Sequence, residues 1–352
     1  MSFARYMELA LYQPGLGYYA GGSTKFGGAG DFVTAPEISS LFSQTLARQV
    51  AQILDRAGEQ IVELGAGSGR MAHDLLLTLA ELGALPFSYA IVELSAELRQ
   101  RQQQKLDTLP QALRSRVQWL DALPERIAGL VLANEVLDAL PVHLVAWYDK
   151  SIMERGVTWD AQQQLGWADR ELAPGALLDR ALPLSPPTPY VSEISLAVPA
   201  LVATLARTLE RGALVFIDYG FGAREYYHPQ RNRGTLMCHY RHRAHDDPFF
   251  LPGLQDITSH VDFTSVALAG IDCGLKLLGY TTQAHFLVNA GITDVLARTS
   301  PDNSAEYLPL AAQAQKLLSP AEMGELFKVI ALARGLDVPL TGFHAGDLSG
   351  LL

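Results

Sequence analysis

Apolar positions along the chain recur with two different spacings. Residues 3–11, and the stretch from Ala35 to Leu54, place apolar side chains every three or four positions, as the buried face of a helix does. From residue 60 onward, short apolar segments alternate with helical stretches, which is typical of βαβ units around a parallel sheet. The pattern predicts a helical cap over residues 1–55 and an α/β domain over residues 56–352.

The predicted core strands are short, and most end beside a polar or acidic residue. They are Gln60–Leu64, Ser88–Glu93, Val117–Leu120, Gly129–Ala133 and Ala213–Asp218, followed by Leu275–Thr281 and Glu325–Arg334. Helices are predicted over 70–82, 96–108, 135–140, 196–210, 262–272 and 284–298. Two insertions interrupt the alternation, at about 145–185 and at about 221–262. The first opens with β-rich segments. Insertions of this length often form lids or binding loops.

Composition and charge narrow the classes of function. The formal net charge of −10 disfavours binding to a phosphate backbone and mildly favours a cationic partner. The two cysteines, Cys238 and Cys273, cannot build a disulfide framework, and neither a secretory signal nor an uninterrupted apolar run of about 18 residues is present. We therefore expect a cytoplasmic protein that binds neither nucleic acid nor a membrane.

A glycine-rich loop follows the first predicted strand and leads into a helix near Arg70. The segment reads E-x-G-x-G-x-G, with Glu63 followed by Gly65, Ala66, Gly67 and Gly69. Glycines at such a turn allow a ligand to approach the backbone at a helix N-terminus. Because Arg70 stands where a dinucleotide fingerprint needs its third glycine, the loop favours S-adenosylmethionine over NAD. Glu63 can order the loop or approach the amino group of the methionine moiety.

Acidic residues also close the next two strands. Glu93, followed by Leu94, lies at the carboxyl end of the second strand, where an acid can accept hydrogen bonds from both ribose hydroxyls. A surface glutamate that caps a helix is the alternative. Asp121, followed by Ala122, could reach the adenine amino group or act as an ordinary helix N-cap. We count all four residues among the candidate cofactor contacts.

The fourth strand ends at Asn134, which we also assign to the cofactor site, and two carboxylates follow it. In the predicted helical turn, Glu135 and Asp138 are three positions apart and share a face. Together they could hold a guanidinium and accept its proton. Acidic residues placed at a helix N-terminus for its dipole are the alternative.

Three histidines within the second insertion, His239, His242 and His245, repeat with the spacing of some metal ligands. They lie in an Arg-rich stretch flanked by proline, whereas metal ligands usually sit in ordered frameworks. We therefore expect no metal site, and we interpret the segment as a solvated lid that touches substrate.

With these residues assembled, the chain resembles the MidA-like methyltransferase family. The resemblance rests on blocks that span nearly the whole chain: residues 6–12, 14–19, 30–38, 63–69, 134–141, 218–220, 256–263 and 279–283. It implies a doubly wound, Rossmann-like class I methyltransferase core of the α/β class, carrying an N-terminal helical cap and two insertions.

The same resemblance implies a reaction and further site residues. It implies that S-adenosylmethionine donates methyl groups to an accessible arginine of a protein, with symmetric dimethylarginine as the product. The block at residues 30–38 lies beside the cofactor in the family. It adds Thr34 and Pro36 to the cofactor site and Glu37 to the candidate catalytic carboxylates Glu135 and Asp138. Because the chain begins almost directly at the Tyr6 block, we expect a bacterial member without a transit peptide.

Two other functions are compatible with these residues. A methyltransferase acting on a small molecule would use the insertions to close a pocket. A non-catalytic assembly chaperone would retain the fold and bind a partner subunit, although intact Gly65, Gly67, Gly69 and Glu93 argue against it.

Overall fold

The computed structural model describes residues 1–21 and 33–352, and the chain divides into two compact units. Among the described residues, the first comprises residues 1–21, Leu137–Val202 and Phe221–Val266. The second comprises Val33–Val136, Ala203–Gly220 and Ala267–Leu352. This division differs from the predicted cap over residues 1–55, because residues 33–57 belong with the α/β core.

The described elements follow one another along the chain as helices and strands of unequal length. The helices are α1 Phe3–Tyr12, α2 Ala35–Ile38, α3 Ser40–Ala57, α4 Arg70–Glu81, α5 Ala96–Leu106, α6 Gln111–Arg114, α7 Ala176–Ala181, α8 Ala197–Thr208, α9 Ala223–Tyr226, α10 Phe263–Asp272, α11 Gln283–Asn289, α12 Ile292–Leu296 and α13 Ser304–Leu318. The strands are β1 Gln60–Leu64, β2 Ser88–Val92, β3 Val117–Leu120, β4 Ile127–Asn134, β5 His143–Tyr148, β6 Ser151–Trp159, β7 Leu165–Glu171, β8 Tyr190–Ile194, β9 Leu209–Phe221, β10 Met237–Tyr240, β11 Arg243–His245, β12 Asp256–Thr258, β13 Val261–Asp262, β14 Lys276–Thr282 and β15 Phe327–Arg334.

The second unit is built on a mostly parallel sheet in the order β14-β15-β9-β4-β1-β2-β3. Strands β1, β2, β3, β4 and β9 are parallel, and β15 is antiparallel to both β9 and β14. The chain runs outward from β1 through β2 to β3 and then returns to β4 on the other side of β1. In doubly wound sheets, ligands bind at the carboxyl ends of the strands where the order reverses. That point lies between the ends of β1 and β4.

Helix α3 explains why residues 33–57 belong to the core. Ser39 caps the helix, since its Oγ accepts a hydrogen bond from the Leu41 amide at 3.2 Å. The apolar face then buries Leu46, Val50 and Ile53 in the same cluster that covers the inner strands. Burial of side chains of this size stabilises the fold by roughly 1.5–3 kcal/mol each.

The first unit contains α1 and two antiparallel sheets, in the orders β7-β6-β5-β8 and β11-β10-β12. The β-rich segment predicted after residue 145 is confirmed as β5, β6 and β7. The histidine-rich stretch is not a simple solvated loop, because β10 and β11 pair as a hairpin. Arg241 and His242 form its turn with φ of 49° and 61°, a conformation suited to a tight turn between twisted strands.

The secondary structure departs from the predicted pattern at residues 135–140 and at α13. Residues 135–140 form a bend and a turn instead of a helix, and Glu135 has a left-handed backbone with φ of 54°. Helix α13 was not among the predicted elements. It contains Pro309 and buries only Ala314 and Leu317, so its apolar periodicity is weak. Of the helices in residues 1–21 and 33–352, none has both the length and the apolar character needed to span a bilayer.

Candidate functional site

The glycine loop between β1 and α4 depends on backbone angles that favour glycine. Gly65, Gly67 and Gly69 have φ of 60°, 54° and 81°. The Gly65 amide donates to the Val92 carbonyl at 3.1 Å, and the Gly69 amide donates to the Ala66 carbonyl at 2.8 Å. The loop is therefore a folded turn that cannot accept a β-branched residue without strain.

Glu63 lies just before this loop and is almost fully buried. Its Oε2 accepts a hydrogen bond from the Tyr89 hydroxyl at 2.7 Å, whereas Oε1 has no partner among residues 1–21 and 33–352. Burial, opposed in part by the Tyr89 hydrogen bond, raises the pKa of Glu63 to about 7. A buried carboxylate oxygen without a partner is costly, so this atom is suited to a polar or cationic ligand group.

Glu93 is only 8% exposed, so the alternative of a surface glutamate is wrong. Its Oε1 accepts the Ser95 amide at 2.8 Å, and its Oε2 accepts the Gln102 side-chain amide at 2.9 Å. Burial raises the pKa of Glu93, while these hydrogen bonds and Arg99 oppose the shift. A carboxylate with two oxygens can still accept further hydrogen bonds from a ligand.

The candidates next to these acids are more exposed. The Leu94 side chain is 81% exposed although it is large and apolar, and Ala122 is also exposed. Asp121 is largely exposed, and its carboxylate is 2.7 Å from the Arg99 guanidinium. No helix begins at Asp121, so the helix N-cap alternative is wrong. These residues are open to a ligand at the β2 and β3 ends.

Glu135 lies at the end of β4, held by contacts from several segments of the second unit. Its Oε1 accepts hydrogen bonds from the Asn134 side chain at 3.1 Å and the Ala35 amide at 3.4 Å, and its Oε2 accepts the Tyr219 hydroxyl at 3.3 Å. Burial and then the negative charge of Asp218 raise the pKa of Glu135 to about 8, against the opposing effect of these hydrogen bonds. A cation bound here would favour the charged carboxylate.

Asn134 itself is buried beside the glycine loop. Its Oδ1 has no partner within the described part of the chain. The pairing of Leu64 with Ala133 puts the ends of β1 and β4 side by side. A Cβ added to Gly65 would come within 3.1 Å of Val136. The structure thus brings Asn134 and Glu135 next to the loop.

Glu37 is connected to the glycine loop from the N-terminal side. It accepts a hydrogen bond from the Ser68 hydroxyl and lies 3.9 Å from the Arg70 guanidinium. Thr34 is the N-cap residue of α2 and Pro36 is buried within the first turn. The contacts of Glu37 therefore bring this segment next to the glycine loop, where the resemblance predicts a cofactor contact. Residues 30–32 of the same block lie outside the described residues.

Asp138 was predicted to be a site residue because it would share a helical face with Glu135, and the structure does not contain that helix. Without a helix over 135–140, Glu135 and Asp138 do not share a helical face. Asp138 is buried in the first unit, and its backbone carbonyl accepts the Ser259 amide at 3.0 Å. In that unit Asp138 is also among the charges that raise the pKa of Tyr19, after burial, Asp256 and Tyr12.

Three residues that hold the acidic site residues in place were not among the predicted site residues. Tyr89, Gln102 and Tyr219 each hydrogen-bond a predicted acidic residue. Gln102 had a recognisable signal, because it lies on the buried stripe of α5 between Leu98 and Leu106. Tyr219 follows Asp218 in the predicted Asp-Tyr-Gly block, but its contact with Glu135 spans 84 positions.

The residues at this edge of the sheet fit the predicted S-adenosylmethionine. Gly65 and Gly67 combine left-handed backbone angles with the absence of a side chain, which permits a ligand to approach the backbone closely. Buried acceptor atoms of Glu63 and Asn134 lack partners among the described residues, and Glu93 closes the neighbouring strand. This donor and acceptor set suits a nucleoside carrying an ammonium group.

Comparison with known proteins gives concordant findings. A family model described as "Putative S-adenosyl-L-methionine-dependent methyltransferase" matches residues 45–281. A crystal structure from Burkholderia thailandensis, bound to S-adenosyl-homocysteine, is 54% identical and superimposes with a TM-score of 0.97, covering 100% of this chain and 92% of that one.

Curated relatives match over most of the chain. A Drosophila melanogaster protein described as "Protein arginine methyltransferase NDUFAF7 homolog, mitochondrial" is 31% identical, covering 97% of this chain and 84% of its own length. The Homo sapiens "Protein arginine methyltransferase NDUFAF7, mitochondrial" is 28% identical, covering 94% of this chain and 80% of its own length.

Proposed function

Because the chain belongs to the family of S-adenosyl-L-methionine-dependent methyltransferases, we propose that it methylates arginine side chains of a protein substrate. The observation that carries the proposal is the similarity to curated protein arginine methyltransferases over nearly the whole chain, at 31% and 28% identity. By the resemblance to the MidA-like family, we propose symmetric dimethylarginine as the product.

S-adenosylmethionine supplies, when bound, a methyl group on a positively charged sulfur. We assign its binding to the glycine loop with Glu63, to Glu93 at the end of β2 and to Asn134 at the end of β4. The task left to the protein is to align the acceptor nitrogen with that methyl group and to exclude water. Alignment of this kind can account for a large share of a rate enhancement.

Glu135 has the properties that a guanidinium acceptor requires. A guanidinium is protonated at neutral pH and must lose a proton as the new carbon–nitrogen bond forms. A carboxylate can bind it through two parallel hydrogen bonds and accept that proton. The hydrogen bonds from Asn134, Ala35 and Tyr219 fix the orientation of the carboxylate. Glu37, which accepts a hydrogen bond from Ser68, is a second candidate for the proton-accepting carboxylate at the same loop.

The proposal is tested with the intact protein and labelled S-adenosylmethionine. We expect incubation with native lysate to label a protein, and hydrolysis of that protein to release methylated arginine in mass spectrometry. Label found only in small molecules would replace the proposed substrate class. Binding of S-adenosylmethionine without any transfer would instead favour an assembly chaperone.

We expect Glu93→Ala to weaken binding of S-adenosylmethionine by roughly 1–3 kcal/mol, the usual effect of leaving buried hydrogen-bonding groups without a charged partner. Isothermal calorimetry measures the change. Glu125→Ala, at an exposed position of the β3–β4 connection, is the matched control and should bind as the wild type does. Equal affinity in the Glu93 variant would remove this residue from the cofactor site.

The raised pKa of Glu135 predicts a pH dependence of catalysis. Since the carboxylate form is required, kcat/KM should increase with pH and level off above about 8. The native state also binds this proton more tightly than the unfolded chain. The stability that Glu135 contributes is therefore fully present below its ordinary pKa of 4.5 and is lost as pH rises from there to about 8. The measurement is kcat/KM as a function of pH. A value of kcat/KM that does not change with pH as pH approaches about 8 would contradict the assignment.

A further inference from the structure

A buried glutamine occupies an apolar stripe of helix α5. Leu98, Gln102 and Leu106 are spaced by four positions and are the buried residues of this helix. Gln102 is fully buried, whereas the adjacent Gln103 and Gln104 are exposed. Because burial of an amide in place of leucine is unfavourable unless its hydrogen bonds are satisfied, the contacts of Gln102 show what the position requires.

The amide of Gln102 joins three segments of the second unit. Its Nε2 donates to the Gly67 carbonyl at 3.0 Å and to Glu93 Oε2 at 2.9 Å. Its Oε1 accepts a hydrogen bond from Trp119 Nε1 on β3 at 3.0 Å. An inverted amide would place oxygen against two acceptors, so the indole donor of Trp119 fixes the orientation of the group.

The helix backbone at Gln102 also touches the loop. A Cβ added to Gly69 would lie 3.1 Å from the Cα of Gln102. The third glycine of the loop is therefore needed for close packing of α5 as well as for its own backbone angle. Through this contact and the hydrogen bond to Gly67, α5 determines where the loop lies relative to the end of β2.

We propose that Gln102 is a positioning residue for S-adenosylmethionine, which fixes the Gly67 carbonyl relative to the Glu93 carboxylate and so preorganises two parts of the cofactor site. This inference rests on the proposed assignment of Gly67 and Glu93 to that site. Gln102 acts through these two groups, and Trp119 acts through Gln102.

The charge of Glu93 provides a readout that simple packing would not change. Burial raises the pKa of Glu93, and the hydrogen bond from Gln102 is among the contacts that lower it. The other groups facing Glu93 are the amides of Leu94 and Ser95, Arg99 with its partner Asp121, and Glu63 on β1. Loss of the Gln102 donor should therefore raise the pKa of Glu93 further.

The test uses Gln102→Leu, which keeps the approximate size and restores the apolar stripe. We expect the affinity for S-adenosylhomocysteine, measured by calorimetry, to fall about 10- to 100-fold, the effect of removing hydrogen bonds that include one to a charged group. Affinity should decline at low pH as Glu93 becomes protonated, and we expect this decline to begin at a higher pH in the variant than in the wild type. Gln103→Leu makes the same change on the exposed side of α5 and should leave both properties unchanged.

Trp119→Phe keeps Gln102 but removes the donor that orients its amide. This variant tests the positioning role if Gln102→Leu does not fold. We expect a smaller loss of affinity for S-adenosylhomocysteine. The pH below which the affinity declines should again be higher than in the wild type. A uniform loss at every pH, in either folded variant, would mean that Gln102 only packs the helix.

The positioning role of Gln102 and the assignment of Glu93 to the cofactor site predict different outcomes. If Glu93→Ala and Gly67→Val lose affinity while Gln102→Leu binds as the wild type does, the positioning role is wrong and the site assignment stands. If Glu93→Ala binds as the wild type does, the site assignment itself is wrong.

Discussion

Replacing Gly67 with valine is expected to abolish binding of S-adenosylmethionine by a chain that still folds. Gly67 has φ of 54°, a backbone conformation that β-branched residues rarely adopt. The side chain would also occupy the space through which the ligand approaches the backbone at the start of α4. Calorimetry on the purified variant should detect no binding heat, and circular dichroism should show a folded protein.

Gly83→Val separates the effect on the site from backbone strain alone. Gly83 follows the other end of α4 with φ of 68°, and a Cβ added there would have no neighbour within 4 Å. This variant should lose some stability but bind S-adenosylmethionine with wild-type affinity. Wild-type affinity in Gly67→Val would remove the glycine loop from the cofactor site.

Glu135→Gln should reduce turnover by about 100-fold or more while the affinity for S-adenosylmethionine stays within a few-fold of the wild type. Glutamine keeps the size and most hydrogen bonds of the side chain, but it lacks the charge that orients a guanidinium and the basicity that accepts its proton. Loss of a positioned acid–base group commonly has an effect of this size. Single-turnover transfer of labelled methyl groups to the protein substrate measures the rate.

Asp138→Asn now tests a weaker hypothesis, because the shared helical face that motivated it is absent. Glu59→Gln, at an exposed position before β1, is the control for a charge change without a role in the site. If Glu135→Gln and Asp138→Asn both methylate at the wild-type rate, the acceptor carboxylate must be sought elsewhere. Glu37 is the first candidate, because it is bonded to Ser68 of the glycine loop.

The strands of the core were predictable from sequence because their signal is local. Strands β1 and β3 have the predicted bounds, and β2 and β4 differ by a few residues. The glycine loop was recognisable for the same reason, since the glycine spacing is read directly from the sequence and glycine permits the left-handed backbone angles that Gly65, Gly67 and Gly69 adopt. Local preferences and the period of apolar residues thus determined the α/β class and the place of the cofactor loop.

The environment of Glu135 was decided only by tertiary structure. Its contacts come from Ala35, 100 positions away, and from Tyr219, 84 positions away. Its amide donates to Ile217 and the next amide, that of Val136, donates to Asp218, so both are engaged by β9. Acidic residues and helical spacing suggested a helix here, but the left-handed Glu135 backbone ends regular structure at the strand edge.

The assignment of α3 to the core and the hydrogen-bond partners of Gln102 were likewise decided by tertiary structure. An apolar helical stripe in the sequence shows that a face is buried, but it does not identify the surface that covers the face. Only the packing of α3 against the core places residues 33–57 in the second unit. Likewise, the value of an amide at Gln102 depends on Gly67, Glu93 and Trp119, which lie far apart along the chain. Long-range contacts of this kind leave no periodicity in a single sequence, because each partner is selected by its position in space.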